Sequence, residues 1–180
     1  MNILILNGTP RRRGNSRTAL EMIKGYLDAD HDVEFLDVCS LKLSGCKACE
    51  ACRRNGGHCI CPDDSDAAIQ KVVKADAIVF GTPVYWWGMS SQLKMLVDKF
   101  YSQSPQFKTM HKNIGLVISG ASGLDNPQYR LIREQFECIT EFLHWDLRFV
   151  KAFSALAQAE ILEQDGTEAK LKEAAEALLK

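Results

Sequence analysis

The sequence predicts one doubly wound α/β domain on a five-stranded parallel sheet, and three observations carry that expectation. Short apolar runs recur at Ile3–Leu6, Ala77–Phe80 and Ile114–Ser119, each ending at glycine or a turn residue. Continuous runs, as opposed to alternating ones, mark parallel strands covered on both faces. Stretches of helical periodicity separate the strands, so the two element types alternate along the chain. No Pro/Gly/Ser-rich linker, internal repeat or low-complexity tract interrupts the 180 residues, of which 46% are hydrophobic, so a single core suffices.

Each element follows in order. After the first strand, Leu20, Ile23 and Leu27 share one helix face. Val33–Val38 mixes polar and apolar residues, as an edge strand does. Ile69, Val72 and Val73 mark the second helix. Leu93, Leu96, Val97 and Phe100 follow the i, i+3, i+4, i+7 rule for the third, and Tyr129, Ile132, Phe136, Ile139 and Leu143 extend it over several turns for the fourth. Leu147–Phe153 reads as the second edge strand, and Leu171, Ala174, Ala175 and Leu178 close the chain in a last helix. Residues 154–166 fit neither period and read as a connection.

Lys+Arg 22 against Asp+Glu 23 gives a net charge of −1, which favours neither nucleic acid nor an anionic membrane as partner. No apolar run is long enough to span a bilayer, and the N-terminus lacks a signal-peptide layout, so the expected location is the cytoplasm. Seven cysteines suit that compartment as thiols or ligands.

In an open parallel sheet, ligands bind beyond the carboxyl ends of the strands, so the chemistry is sought in three loops. The first, Asn7-Gly8-Thr9-Pro10-Arg11-Arg12-Arg13-Gly14-Asn15-Ser16, joins a strand to a helix whose first N–H groups have no partner and carry the positive end of the helix dipole. It has neither the Gly-x-Gly-x-x-Gly of a dinucleotide site nor the Gly-Lys-[Ser/Thr] of a triphosphate loop. Thr9, Asn15 and Ser16 with nearby arginines suit a terminal monophosphate. The loop after the third strand, Gly81 to Ser90, holds Tyr85-Trp86-Trp87, whose exposed rings call for a flat partner. After the fourth strand, Ser119-Gly120-Ala121-Ser122-Gly123 is small enough to admit a cofactor's edge. Together the three loops describe a site for a mononucleotide with a flat ring, which is FMN.

Gly8-Thr9-Pro10-Arg11 followed by Gly14-Asn15-Ser16 resembles the Gly-Ser-Pro-Arg…Gly-Asn-Ser/Thr loop of the flavodoxin-like NAD(P)H-dependent FMN reductases. Pro83-Val84-Tyr85 with Leu93-Lys94 and Asp98 resembles their Pro-Val-Tyr…Leu-Lys…Asp-Arg segment. The resemblance spans roughly residues 1–125. It implies a flavodoxin-like sheet of order 2-1-3-4-5, with Thr9, Arg11, Asn15 and Ser16 on the FMN phosphate, and Pro83, Val84, Tyr85, Trp86, Ser119 and Gly120 along the ring. Thr9 replaces the usual serine, Lys99 stands where arginine is usual, and Trp86-Trp87 is bulkier than the family's common pair. The implied activity passes reducing equivalents from NAD(P)H through FMN to a small-molecule or protein acceptor, with no catalytic side chain required and a homodimer or homotetramer expected.

Five of the seven cysteines fall within residues 46–61. Cys46, Cys49 and Cys52 have the Cys-x2-Cys-x2-Cys spacing of cluster-binding proteins, with Cys59 beyond a Gly56-Gly57 turn and Cys61 as its substitute. The segment also resembles that of the iron–sulfur flavoproteins, a branch of the same family, which implies a [4Fe-4S] cluster. Free thiols shaping a subunit contact, or zinc held by cysteine and His58, are the other readings. Two further functions compete with the reductase: an electron carrier using FMN and the cluster, and an FMN-binding module without turnover.

Overall fold

The computed structural model describes residues 1–180 as an all-parallel sheet of order β2-β1-β3-β4-β5 with helices on both faces. β1 (Asn2–Asn7), β3 (Ala77–Pro83) and β4 (Asn113–Gly120) form its centre, and β2 (Asp32–Asp37) and β5 (Asp146–Ser154) its edges. Burial follows the sequence pattern. The whole of β4 is buried, whereas β5 buries only Phe149 and Phe153.

Successive strand residues point to opposite faces, so the central strands feed two cores. α1 (Asn15–Leu27) and α7 (Thr167–Leu178) cover Ile3, Ile5, Val79 and Val117. α3 (Ser65–Lys74), α4 (Ser91–Asp98) and α6 (Pro127–Leu143) cover Leu4, Leu6, Phe80 and Leu116. Two one-turn helices, α2 (Ala51–Arg54) and α5 (Ser104–Phe107), lie in connections.

Local chemistry sets the helix ends. Ser90 Oγ accepts from Leu93 N at 3.3 Å and starts α4; Asn126 Oδ1 accepts from Gln128 N at 3.1 Å and starts α6, with Pro127 in its first turn. The sequence expectation carried α4 through Phe100, but the backbone tightens into a 3-10 segment at Lys99–Gln103. Residues three apart remain on one side of such a segment, so Phe100 still meets Phe80, Phe107 and Trp145. The stretch 154–166 is more than a connection, since Glu160–Glu163 forms a 3-10 turn that buries Ile161.

A buried ion pair helps tie the cysteine segment to the body. Lys99 Nζ lies 2.6 Å from Asp63 Oδ2, with side chains 1% and 8% exposed. Lys99 also donates to Ser65 Oγ at 3.0 Å, and the carboxylate accepts from the backbone N–H groups of Ser44 at 2.9 Å and Ser65 at 3.0 Å, and from both hydroxyls. Burial pushes the Asp63 carboxyl up, but the hydrogen bonds from Lys99, Ser44 and Ser65 outweigh it and hold the group well below the usual carboxylate range.

Removing one partner of a buried pair strands the other, so Lys99→Met is expected to cost about 3–5 kcal/mol in urea unfolding at neutral pH. A depressed carboxyl stabilises the fold fully above its unfolded value of about 3.9 and loses that contribution as pH falls through the folded value. Stability measured by denaturant unfolding should therefore decline below about pH 4, and Asp63→Asn should remove that part of the decline.

Candidate functional site

The site begins where β1 and β3 end. Gly8 N donates to Gly81 O at 2.8 Å, and Ser90 Oγ donates to Gly8 O at 2.6 Å. A Cβ on Gly8 would stand 2.8 Å from Leu93 Cβ, and one on Gly81 would stand 2.4 Å from a Leu20 methyl. Only glycine allows these approaches, which bring the first loop, the end of β3 and the starts of α1 and α4 to one edge.

Asn7 braces the first loop: its Nδ2 donates to Thr9 O and Asp37 Oδ1, both at 3.2 Å, while its Oδ1 accepts from Thr9 N at 3.2 Å. Gly14 is the cap residue of α1 and no side chain caps the helix. The ladder begins with Thr18 N to Gly14 O at 2.9 Å, so the N–H groups of Asn15, Ser16 and Arg17 precede it. An uncapped helix start beside the Thr9 hydroxyl is a cradle for an anion.

The second loop is a tight reversal. Tyr85 N donates to Gly88 O at 2.9 Å and Gly88 N returns to Tyr85 O at 3.1 Å, leaving Trp86 and Trp87 at the tip with φ 46 and 59. Such a turn normally takes Asn-Gly, and a bulky residue with positive φ costs about 1–3 kcal/mol. The tip faces water: Trp86 is 90% exposed.

The third loop joins the second through Val84 N to Ser119 O at 2.8 Å and joins the first through the hydroxyls of Ser16 and Ser119, 3.0 Å apart. The chain after β5 closes the far side, with Ala155 N donating to Gly120 O at 2.7 Å.

These loops enclose a crevice of about 120 Å³ whose walls include Thr9, Arg11, Asn15, Pro83, Val84, Tyr85, Ser119 and Gly120. Two expected residues stand apart. Ser16 is buried behind the wall against Ser119, and Trp86, at the solvent-exposed tip of its turn, does not line the crevice. Asn15 lines the crevice, yet its side chain is spent internally: Nδ2 donates to Ala157 O at 2.8 Å and Oδ1 accepts from Ile161 N at 3.3 Å. What it offers an anion is its backbone N–H. Sequence reasoning missed Ala155, Leu156, Ala157 and Gln158 on the same wall. No motif marks them; their position follows from β5 running parallel beside β4.

Cys46, Cys49, Cys52, Cys59 and Cys61 line one small hollow together with Tyr101 and Ser102. No three His, Cys, Asp or Glu side chains gather closely enough for a single metal ion. His58 stands outside that hollow, its Nδ1 3.0 Å from Asp66 Oδ2, so the residues named for zinc are not brought together. Cys39 and Cys138 also lie elsewhere; burial, then the Asp37 charge, pushes the Cys39 thiol up to about 11.

The model of the NADPH-dependent FMN reductase family matches residues 1–138. An iron–sulfur flavoprotein of Methanocaldococcus jannaschii is 33% identical over 123 residues, covering 68% of this chain and 63% of that protein. The chain therefore spans less than two thirds of that relative. A Bacillus subtilis protein named as an NAD(P)H-dependent FMN-containing oxidoreductase is 30% identical over 152 residues, 79% of each chain. Among solved structures, the Trp repressor binding protein from Bacillus subtilis superposes over 99% of both chains with TM-score 0.67 at 24% identity, a likeness of fold. With the family match extending from β1 through most of α6, across all three loops that build the crevice, the chain belongs to the NADPH-dependent FMN reductase family.

Proposed function

We propose that this chain binds FMN in the crevice and works as an NAD(P)H-dependent oxidoreductase that delivers reducing equivalents to a second acceptor. One observation carries the reading: an uncapped helix N-terminus opens into a crevice built jointly by the ends of β1, β3 and β4. The N–H groups of Asn15 and Ser16, the Thr9 hydroxyl and Arg11 would hold the phosphate. Pro83, Val84 and Tyr85 would lie along one edge of the ring, with Ser119 and Gly120 along the other. Bound FMN supplies the hydride chemistry, and the chain supplies binding, orientation and electrostatics. No side chain is assigned as acid or base.

The protein should bind one FMN per chain, and FAD more weakly. Thr9→Val removes a hydrogen bond to a charged group, worth about 1.5–3 kcal/mol, so FMN affinity measured by fluorescence titration should fall about 10- to 150-fold. Unchanged affinity would remove the phosphate from this loop.

The bulky Trp86-Trp87 turn directly follows Tyr85 of the crevice wall, and on this reading it leaves room at the ring for one substrate at a time, so nicotinamide and acceptor take turns at one face. Steady-state kinetics should give parallel double-reciprocal lines. Intersecting lines would show both substrates bound together, and failure of NADH and NADPH to reduce bound FMN would favour the carrier or the module without turnover.

A second reading adds a [4Fe-4S] cluster on Cys46, Cys49, Cys52 and Cys59. It is favoured by the shared hollow, which brings Cys46, Cys49, Cys52 and Cys59 to one place, and by the close Cys-x2-Cys-x2-Cys spacing of the first three. The relatives named iron–sulfur flavoproteins support it. Anaerobically purified protein should then carry iron and sulfide near about four per chain, and Cys49→Ala should lose both while retaining FMN. Absence of iron and sulfide from the wild type would leave the thiols as packing groups.

A larger apolar cleft of about 780 Å³ runs between α4 and α6, where Leu131 and Phe142 stand exposed. On this reading it is the apolar face that a second copy of the chain would cover in a homodimer or homotetramer. No helix is long and apolar enough to cross a membrane; seven unpaired thiols suit the cytoplasm.

A further inference from the structure

The 3-10 segment Lys99–Gln103 and the residue after it form the wall on which the cysteine segment rests, and their polar side chains are nearly all committed. Lys99 holds Asp63 and Ser65. The Arg53 guanidinium stacks 3.8 Å from the centre of the Tyr101 ring, and its Nη2 donates to Ser104 Oγ at 3.1 Å. Gln103 packs so closely against Gly57 that a Cβ there would stand 2.7 Å from Gln103 Oε1. Among the hydroxyls of this wall, Ser102 is the exception. It is 5% exposed, and its Oγ has no hydrogen-bond partner.

A buried hydroxyl left unpaired is costly, and few native ones are. Ser102 borders the hollow whose other walls carry five cysteines and Glu50; the Glu50 carboxylate accepts from the Tyr101 hydroxyl at 3.5 Å, and the other side-chain acceptors of the hollow are sulfur atoms. A neutral thiol accepts weakly. An anionic sulfur, whether a ligating thiolate or a bridging sulfide, accepts well, and a donor to it steadies the added negative charge of the reduced state.

We infer that the Ser102 hydroxyl donates a hydrogen bond to a sulfur of the group held in the cysteine hollow and, as a positioning residue, raises that group's reduction potential. This rests on the cluster reading above. Ser102 makes no covalent contact in this role, so its replacement leaves the four thiolates in place. It lies outside the FMN crevice, and the flavin's own potential should be unaffected.

The test uses anaerobically purified wild type, Ser102→Ala and Ser102→Thr, each analysed for iron, sulfide and FMN and then titrated with a reductant while absorbance and electron paramagnetic resonance are followed. The expected result is full iron, sulfide and FMN in all three, a cluster midpoint potential shifted to more negative values in Ser102→Ala, recovery in Ser102→Thr, and one unchanged flavin potential. Full iron with an unshifted cluster potential in Ser102→Ala overturns the inference and leaves the cluster reading standing. Loss of iron in Ser102→Ala also overturns it, assigning the residue to packing. A wild type without iron and sulfide overturns both.

Discussion

The meeting of two backbones at the carboxyl edge, where the Gly8 amide reaches the Gly81 carbonyl, is the contact on which the rest of the molecule depends. Leu20 of α1 presses on Gly81 from one face, and Leu93 of α4 presses on Gly8 from the other. Two helices that leave adjacent strands in opposite directions open a crevice between them, which is why open sheets bind ligands where the winding reverses. Ser90 completes the joint by capping α4 and bonding the Gly8 carbonyl with one hydroxyl. A side chain at either glycine would separate the loops that form the crevice walls.

A second fixed point, on the side of the sheet covered by α3 and α4, explains a departure from the family pattern. Lys99 sits where arginine is usual, in a compartment formed by one carboxylate and the hydroxyls of Ser44 and Ser65. A compact ammonium with three donors suits that converging set of oxygens, whereas a planar guanidinium needs room for its fork. The pair joins residues on both sides of the cysteines to the wall that carries Ser102. The insertion is thus shaped by a few polar anchors and very little apolar burial.

The legible parts of the chain were those with local causes. β1, β3 and β4 announced themselves because strands covered on both faces must be continuously apolar, and the eight expected residues that line the crevice could be found from motifs at strand ends. The edge strands were legible as such because their exposed sides carry polar residues. What escaped was set by partners distant in sequence. Ala155 to Gln158 reach the crevice only because β5 lies beside β4, and the Asn15 side chain is drawn away by Ala157 and Ile161 across more than 140 residues of chain. The tight turn that exposes Trp86 escaped for a different reason: local propensity puts Asn and Gly, not two tryptophans, in a turn with positive φ.

That turn gives the protein an optical property. Of its three tryptophans, Trp145 is buried in the aromatic core beside Phe107, while Trp86 and Trp87 stand in water at the rim of the crevice with ring centres 5.8 Å apart. Indole emission overlaps flavin absorption, and energy transfer falls steeply with distance. The rim pair therefore forms an intrinsic reporter whose brightness registers whether the neighbouring crevice is filled, while the buried indole provides a steadier reference within the same spectrum.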